Sequence, residues 1–184
     1  DQSLTDSLTG LRNRGYFDQY LASHFATIMN TLTQGGSGVR NFSCIIADID
    51  HFKKINDTRG HQAGDYVIRK MGQVVLSQVR KTDVVCRYGG EEFVVLLSGA
   101  NMQQALMVAE KIRATVETES FVYDQDKIPV TASFGVAQIL PTDTQAGEVV
   151  ERADKGLYLS KKNGRNRVSV AQDENLQDDD SSKV

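Results

Sequence analysis

The stretch Cys86-Arg-Tyr-Gly-Gly-Glu-Glu-Phe-Val-Val-Leu-Leu97 decides the fold. With "VV" ahead of it, this stretch presents two apolar arms around Gly89 and Gly90, residues able to take positive φ, so it reads as a β-hairpin that turns near the glycine pair. Such a turn carries Glu91 and Glu92 side by side, where two carboxylates repel each other. A buried-looking hairpin that keeps that liability needs a cation or strong donors to meet it.

The chain has 184 residues, 40% of them hydrophobic and 24% charged, enough for the core of one domain. No apolar run approaches the ~20 residues of a membrane helix. The opening "DQSLTDSLTGL" has neither the basic region nor the apolar core of a secretory signal, so direct membrane insertion is not expected. The net charge of −3 is owed to the final segment "DENLQDDDSSKV", which holds five acids and one lysine; the remainder carries 20 bases and 19 acids. This balance argues against a broad nucleic-acid surface and directs attention to local clusters. Cys44 and Cys86 lie in apolar, strand-like runs and read as buried free thiols of a reducing, cytoplasmic compartment.

Outward from the hairpin, residues 15–33 place Phe17, Tyr20, Leu21, His24, Phe25, Ile28 and Leu32 at three- and four-residue spacings, an amphipathic helix ended by the loop "QGGSGVRN". A strand follows over 42–50, "FSCIIADID". The glycine-punctuated "HFKKINDTRGHQAG" leads to a helix over 65–81 with Arg80 and Lys81 at its end, where cations suit the dipole. Helices are further expected over 102–118 and 148–162. The segment "FVYDQDKIPVTASFGVAQIL" holds one or two strands, with Pro129 marking an edge, and "RNRVSV" closes with a short one. The order predicts an α/β sandwich, an antiparallel-rich sheet flanked by helices, over residues 1–172, with 173–184 as an acidic, disordered tail.

In "CIIADID" the two-residue period of a strand puts Asp48 and Asp50 on one face and Ile45, Ala47 and Ile49 on the other. Divalent-metal binding and simple solvation at a strand end are served equally by this segment alone. Together with Glu91 and Glu92 it makes two hard-oxygen clusters, which suit magnesium better than zinc; no Cys/His spacing resembles a zinc set. Lys53, Lys161 and Arg165 sit near glycines, where they either neutralise phosphate oxygens or solvate loop and helix ends. No P-loop is present.

Five motifs in order, "DSLTGLRNR", "DIDHFKKINDTRGHQAGD", "RYGGEEF", "SFGVA" and "ADKGLYLSKKNGRNRV", resemble the GGDEF domain of the diguanylate cyclase family, with glutamate in the variable acidic place. The resemblance covers residues 5 to 170. It implies a palm-like fold related to nucleotidyl cyclases and polymerases, and condensation of two GTP molecules into cyclic di-GMP and two pyrophosphates across a homodimer.

Residue by residue, the resemblance assigns Asp48, the carbonyl of Ile49 and Glu91 to two Mg2+ or Mn2+ ions. It makes Glu91 the general base, Glu92 a further catalytic-site residue with an open partner, and Asp50 a shaper of the site. Asn56 and Asp65 match guanine-reading positions, His61 a nucleotide or loop-supporting position, and Lys53, Lys161 and Arg165 phosphate positions. Without the resemblance, Asn56 serves a turn and Asp65 a helix start equally well. Arg80 and Asp83 match an RxxD site for inhibitory cyclic di-GMP, and Lys111 stands where another basic contact is frequent; as neighbours three apart, Arg80 and Asp83 could equally pair with each other. Asp6 resembles the wedge aspartate that pairs with Arg87, a turn cap being its alternative. Arg59 and Gly15 depart from the family pattern, which favours an aromatic and a basic residue there. The other reading of the whole is a non-catalytic receptor for GTP or cyclic di-GMP, and the intact set of Asp48, Asn56, Asp65 and Glu91 favours the enzyme.

Overall fold

Largely apolar strands build the main sheet, buried on both faces because helical stripes cover each of them. The structure, a computed structural model, describes residues 3–35 and 41–171. The elements are α1 (Arg14–Gln34), β1 (Phe42–Ile49), α2 (Phe52–Arg59), α3 (His61–Ser77), β2 (Val84–Arg87), β3 (Glu92–Ser98), α4 (Met102–Thr118), β4 (Val122–Tyr123), β5 (Asp126–Lys127), β6 (Ala132–Gln138), α5 (Gly147–Lys162) and β7 (Val168–Val170). The main sheet has the order β2-β3-β1-β6-β7. Every pair in it is antiparallel except β6 with β7.

The strand period sends Ile45, Ala47 and Ile49 of β1, with Phe93, Val95 and Leu97 of β3, toward the α3 and α4 residues Val67, Met71, Ala105 and Ile112. Cys44, Ile46, Val94 and Leu96 face α1 and α5, meeting Phe17, Leu21, Ile28, Val149, Ala153 and Leu157. Both cysteines are free and buried, as their apolar context implied. The expected helix-flanked, antiparallel-rich sheet is the one observed, and β1 lies at its centre.

Two glycines set how closely α5 approaches the sheet. A Cβ on Gly135 of β6 would stand 1.9 Å from the Ala153 carbonyl oxygen, and one on Gly156 of α5 would stand 2.6 Å from that of Ser169. Backbone therefore lies on backbone, and the C-terminal end of α5 is held over the end of β1. Ser160 strengthens the seat by donating to the Phe134 carbonyl at 2.7 Å.

Three local expectations need correction. The segment after β1 is helical: Phe52 and Ile55 give α2 an apolar edge, and Gly60, at φ 90°, breaks it from α3, which begins at His61 rather than residue 65. Helix α3 stops at Ser77, with Gln78 as its cap, so Arg80 and Lys81 lie in the following turn instead of complementing the helix dipole. Between 121 and 131 the chain forms the two-residue strands β4 and β5, and Pro129 stands between β5 and β6, outside the main sheet. Gly35, left-handed at φ 68°, caps α1. The rest of the expected glycine loop, residues 36–40, and the acidic tail lie outside the described residues.

Candidate active site

The two aspartates of β1 are both buried, at 7% and 6% exposure, yet the structure gives them different work. Asp50 is saturated: its Oδ1 accepts from Ser133 Oγ at 2.6 Å, and its Oδ2 accepts from Thr131 Oγ1 at 2.8 Å and from the Asn166 amide at 3.0 Å. It therefore ties β1 to β6 and to the loop after α5, which supports its reading as a shaper of the site. Asp48 has a different environment, with Lys161 Nζ 2.7 Å from its Oδ2. Burial pushes the Asp48 carboxyl above the usual carboxylate range; Lys161 draws it back, and the nearby Glu91 and Asp50 add to the upward push.

Glu92 is paired in register with Asp48 across β1 and β3, so the two carboxylates share a face. Burial, then the charge of Asp48, raises the Glu92 carboxyl, while Lys161 opposes the shift. Glu92 also lines a groove of about 490 Å³ between α1 and α5, beside Asp18 and Asp154. Glu91 stands one residue earlier, on the turn, where its carbonyl accepts from the Ile49 amide at 3.2 Å. That bond brings Glu91, Ile49 and Asp48 to the same end of the sheet.

The turn is locked by Arg87. Its Nε and Nη2 donate to the Gly90 carbonyl at 3.1 and 2.8 Å, and its Nη1 donates to Asp6 at 3.1 Å. Asp6 also accepts from the amide and hydroxyl of Thr9, at 2.9 and 2.7 Å. Both readings of Asp6, turn cap and partner of Arg87, thus hold at once. Although burial pushes the Asp6 carboxyl up, the Thr9 hydrogen bonds and the Arg87 charge bring it below its ordinary value.

Asn56, on α2, lies directly over Gly64 of α3: a Cβ at that glycine would fall 1.9 Å from Asn56 Oδ1. The amide is thereby directed at the start of α3, the helix that carries Asp65. Lys53, His61, Asp65 and Arg165 are exposed. Arg165 and Asn166 both adopt positive φ, at 64° and 46°, a conformation anchored by the Arg165 amide bond to Ser160 and the Asn166 bond to Asp50. Arg113 of α4 braces the same loop through Asn166 Oδ1 at 3.0 Å.

Arg80 and Asp83 form their own cluster, lining a cavity of about 220 Å³ with Leu97, Ala100 and Val108. The Arg80 amide donates to Asp83 Oδ2 at 2.8 Å, and its guanidinium reaches Asp83 Oδ1 at 3.3 Å and the Ser98 carbonyl at 2.8 Å. The Asp83 side chain is only 2% exposed, whereas that of Arg80 is 63% exposed. Asp83 is consequently the anchor of the turn, and Arg80 is its exposed member. Lys111 is exposed on α4 and Arg59 on α2.

Among the described residues no three His, Cys, Asp or Glu side chains converge into a ready-made metal cage. Asp48 and Glu91 with the Ile49 carbonyl are hard oxygen donors fewer than a six-coordinate ion takes, a set that a phosphate-bearing ligand and water would complete. The buried carboxylate held by a single ammonium fits a cation: one positive charge already occupies that place.

Gly64, Gly135, Gly156 and Asn166 were not singled out as makers of the site by sequence reasoning, and Arg87 was named only as a partner of Asp6, not for its grip on the Gly90 carbonyl. For the glycines a signal existed, since each sits inside a helical or strand pattern where glycine is unfavourable without a close contact to justify it.

Residues 3–167 match the family described as "Diguanylate cyclase, GGDEF domain". Diguanylate cyclase A of Treponema denticola is 43% identical over 171 residues, 93% of this chain and 45% of that protein. The response regulator PleD of Caulobacter vibrioides is 40% identical over 168 residues, 90% of this chain and 36% of that protein. Among solved structures, the GGDEF domain of DgcB from Caulobacter crescentus in complex with c-di-GMP superposes with a TM-score of 0.84 at 35% identity, covering 94% of this chain and 98% of that one. The active GGEEF domain of a diguanylate cyclase from Vibrio cholerae does so with a TM-score of 0.78 at 29% identity, covering 93% and 99%. The chain belongs to the diguanylate cyclase GGDEF-domain family. It spans about half or less of the length of these two curated relatives.

Proposed function

We propose that the chain is the catalytic domain of a diguanylate cyclase, condensing two GTP molecules into cyclic di-GMP and two pyrophosphates. The observation that carries this reading is the buried Asp48 carboxylate, facing Glu92 across the strand pair and held by Lys161 at 2.7 Å, at the sheet end where the Glu91 turn closes.

In this reading Asp48, the Ile49 carbonyl and Glu91 hold two Mg2+ or Mn2+ ions. Such ions, when bound, polarise the reacting phosphate and lower the pKa of the attacking hydroxyl. Asn56 donates to guanine O6, and Asp65 accepts from the ring N–H and exocyclic amine, the donor and acceptor pattern that separates guanine from adenine. Lys53, Lys161 and Arg165 orient the phosphates, with His61 supporting the same end. Glu91 takes the proton of the 3′-hydroxyl as that oxygen attacks the α-phosphorus of the other GTP. Each attack forms one P–O bond and expels pyrophosphate, so two attacks close the ring.

Because each domain binds one nucleotide, two copies must meet face to face across a two-fold axis. The resemblance gives Arg80 and Asp83 a shared contact with inhibitory cyclic di-GMP; because the Asp83 side chain is only 2% exposed, the proposal narrows to Arg80, with Asp83 fixing its turn. The substrate places the domain in the cytoplasm, with GTP and the cyclic product as its ligands and no nucleic acid.

The test is incubation with GTP and Mg2+, products resolved by mass, beside Glu91→Ala. Cyclic di-GMP from the parent protein and none from the variant is expected. GTP binding without product, under conditions that promote dimers, would reject catalysis and favour a nucleotide receptor.

A further inference from the structure

We propose that Lys161 is a placeholder cation: its ammonium occupies the metal seat on Asp48 until metal and nucleotide arrive together, and its transfer from Asp48 to phosphate makes the two bind as one event. The inference rests on the metal-site reading above.

Asp48 is buried, and its carboxylate pairs with Lys161 Nζ at 2.7 Å. Carrying a bare charge at that depth is unfavourable, and the ammonium removes the problem. Helix α5 holds the base of Lys161 in place, because the contacts at Gly135 and Gly156 fix the helix against β6 and β7. The lysine side chain itself is 38% exposed on a flexible four-carbon stem, so its head can leave Asp48 while the helix stays.

A divalent ion reaching Asp48 must displace that head and would then lie beside it, cation against cation. Two carboxylates and one carbonyl leave the ion short of ligands, and no third acidic, His or Cys side chain among the described residues joins them. Nucleotide phosphates remove both difficulties, since their oxygens complete the coordination and accept the released ammonium. Metal without nucleotide is thereby held off, and each ligand raises the affinity for the other by the same factor. Arginine cannot play this part equally well: its charge is spread over a planar fork and does not compress into the seat of a small ion.

The experiment is a Mn2+ titration followed by electron spin resonance of the free ion, with and without 3′-deoxy-GTP, which has no attacking hydroxyl and holds the complex short of reaction. In the parent protein Mn2+ is expected to bind at least about tenfold more tightly with the nucleotide than without. Lys161→Met, which keeps the stem and removes the charge, should tighten nucleotide-free Mn2+ binding by about tenfold and weaken, without abolishing, the coupling to nucleotide, since phosphate still completes the coordination. Lys161→Gln provides the same comparison should the methionine variant misfold, and Asp48→Asn should abolish nucleotide-free Mn2+ binding and, with 3′-deoxy-GTP, leave only the binding that the nucleotide shows without protein. Nucleotide-free affinity that is unchanged or weaker in the folded Lys161 variants overturns the placeholder role alone. Failure of the parent to bind Mn2+ with 3′-deoxy-GTP beyond what the nucleotide binds without protein overturns the metal site and the placeholder together.

Discussion

Replacing Gly64 by alanine should separate the stability of the domain from its ability to read guanine. Gly64 is buried within α3, where alanine is a better helix former by about 0.8 to 1 kcal/mol. Against this gain, the added Cβ would stand 1.9 Å from Asn56 Oδ1, 3.0 Å from its Cγ and 3.2 Å from Phe52 Cζ. The worst contact is with the far end of a side chain that has two free torsions, so Asn56 rotates aside and the backbone stays. The two contributions nearly offset, and the melting temperature should move by no more than about 4 °C. In the proposed reading Asn56 then no longer meets the base, which loses a hydrogen bond and leaves guanine O6 unpaired at about 1 to 2 kcal/mol. Calorimetric titration should therefore show GTP binding weakened roughly 5- to 30-fold, with the weaker binding of ATP unchanged. Asn56→Ala should reproduce this loss, and the double variant should add nothing to it, because both act on one contact. A Gly64→Ala protein that keeps both its GTP affinity and its preference over ATP would refute the assignment of Asn56.

Three other perturbations probe the support of the site. Ser133→Ala leaves the buried Asp50 Oδ1 without its 2.6 Å donor and should lower stability by about 1.5 to 3 kcal/mol in urea unfolding; an unchanged midpoint would show that Asp50 does not depend on that bond. Arg87→Lys cannot grip the Gly90 carbonyl and Asp6 at once, so turnover should fall about ten- to a hundredfold while the KM for GTP shifts less than about twofold; equal loss in both would assign Arg87 to binding. Burial pushes the Cys44 thiol up to about 12, and Cys86 likewise to about 12, from the ~8.5 of a free thiol. Between those values the unfolded chain releases protons that the native chain keeps, so stability should fall as pH rises above ~8.5. Alkylation should accordingly be negligible in the native protein and reach both cysteines in urea, and rapid native labelling would contradict their burial.

The parts of this fold that were legible in the sequence are those whose pattern is local. Strand β1 and the β2-β3 hairpin announce themselves by apolar runs around a glycine turn, and α4 by Ala105, Ala109, Ile112 and Val116 at helical spacing. Helix α2 was hidden because only Phe52 and Ile55 supply apolar contact while Lys53, Lys54 and Asp57 are exposed and the polar Asn56 packs over Gly64, and the pair of flanking breaks, His51 and Gly60, resembles a loop. The extension of α3 to Lys81 failed because Asp83 offers the Arg80 amide a better partner than another helical turn would. Within the site, the residue types were readable and their pairing was not. Lys161 and Asp48 lie 113 positions apart, and only the glycine-mediated seat of α5 on the sheet brings them to 2.7 Å. Likewise the separate duties of Asp48 and Asp50 depend on Ser133, Thr131 and Asn166, donors that come from other elements.

The central claim, two GTP half-sites meeting to make one product, is tested most directly by the mass-resolved rate of cyclic di-GMP formation across a dilution series of the domain at saturating GTP and Mg2+. Cyclic di-GMP is expected, its rate of formation rising with roughly the square of protein concentration while copies are mostly apart, and in proportion to it once they are paired. GTP bound with no cyclic di-GMP at any concentration, or a rate strictly proportional to protein from a species that stays monomeric throughout, would contradict it.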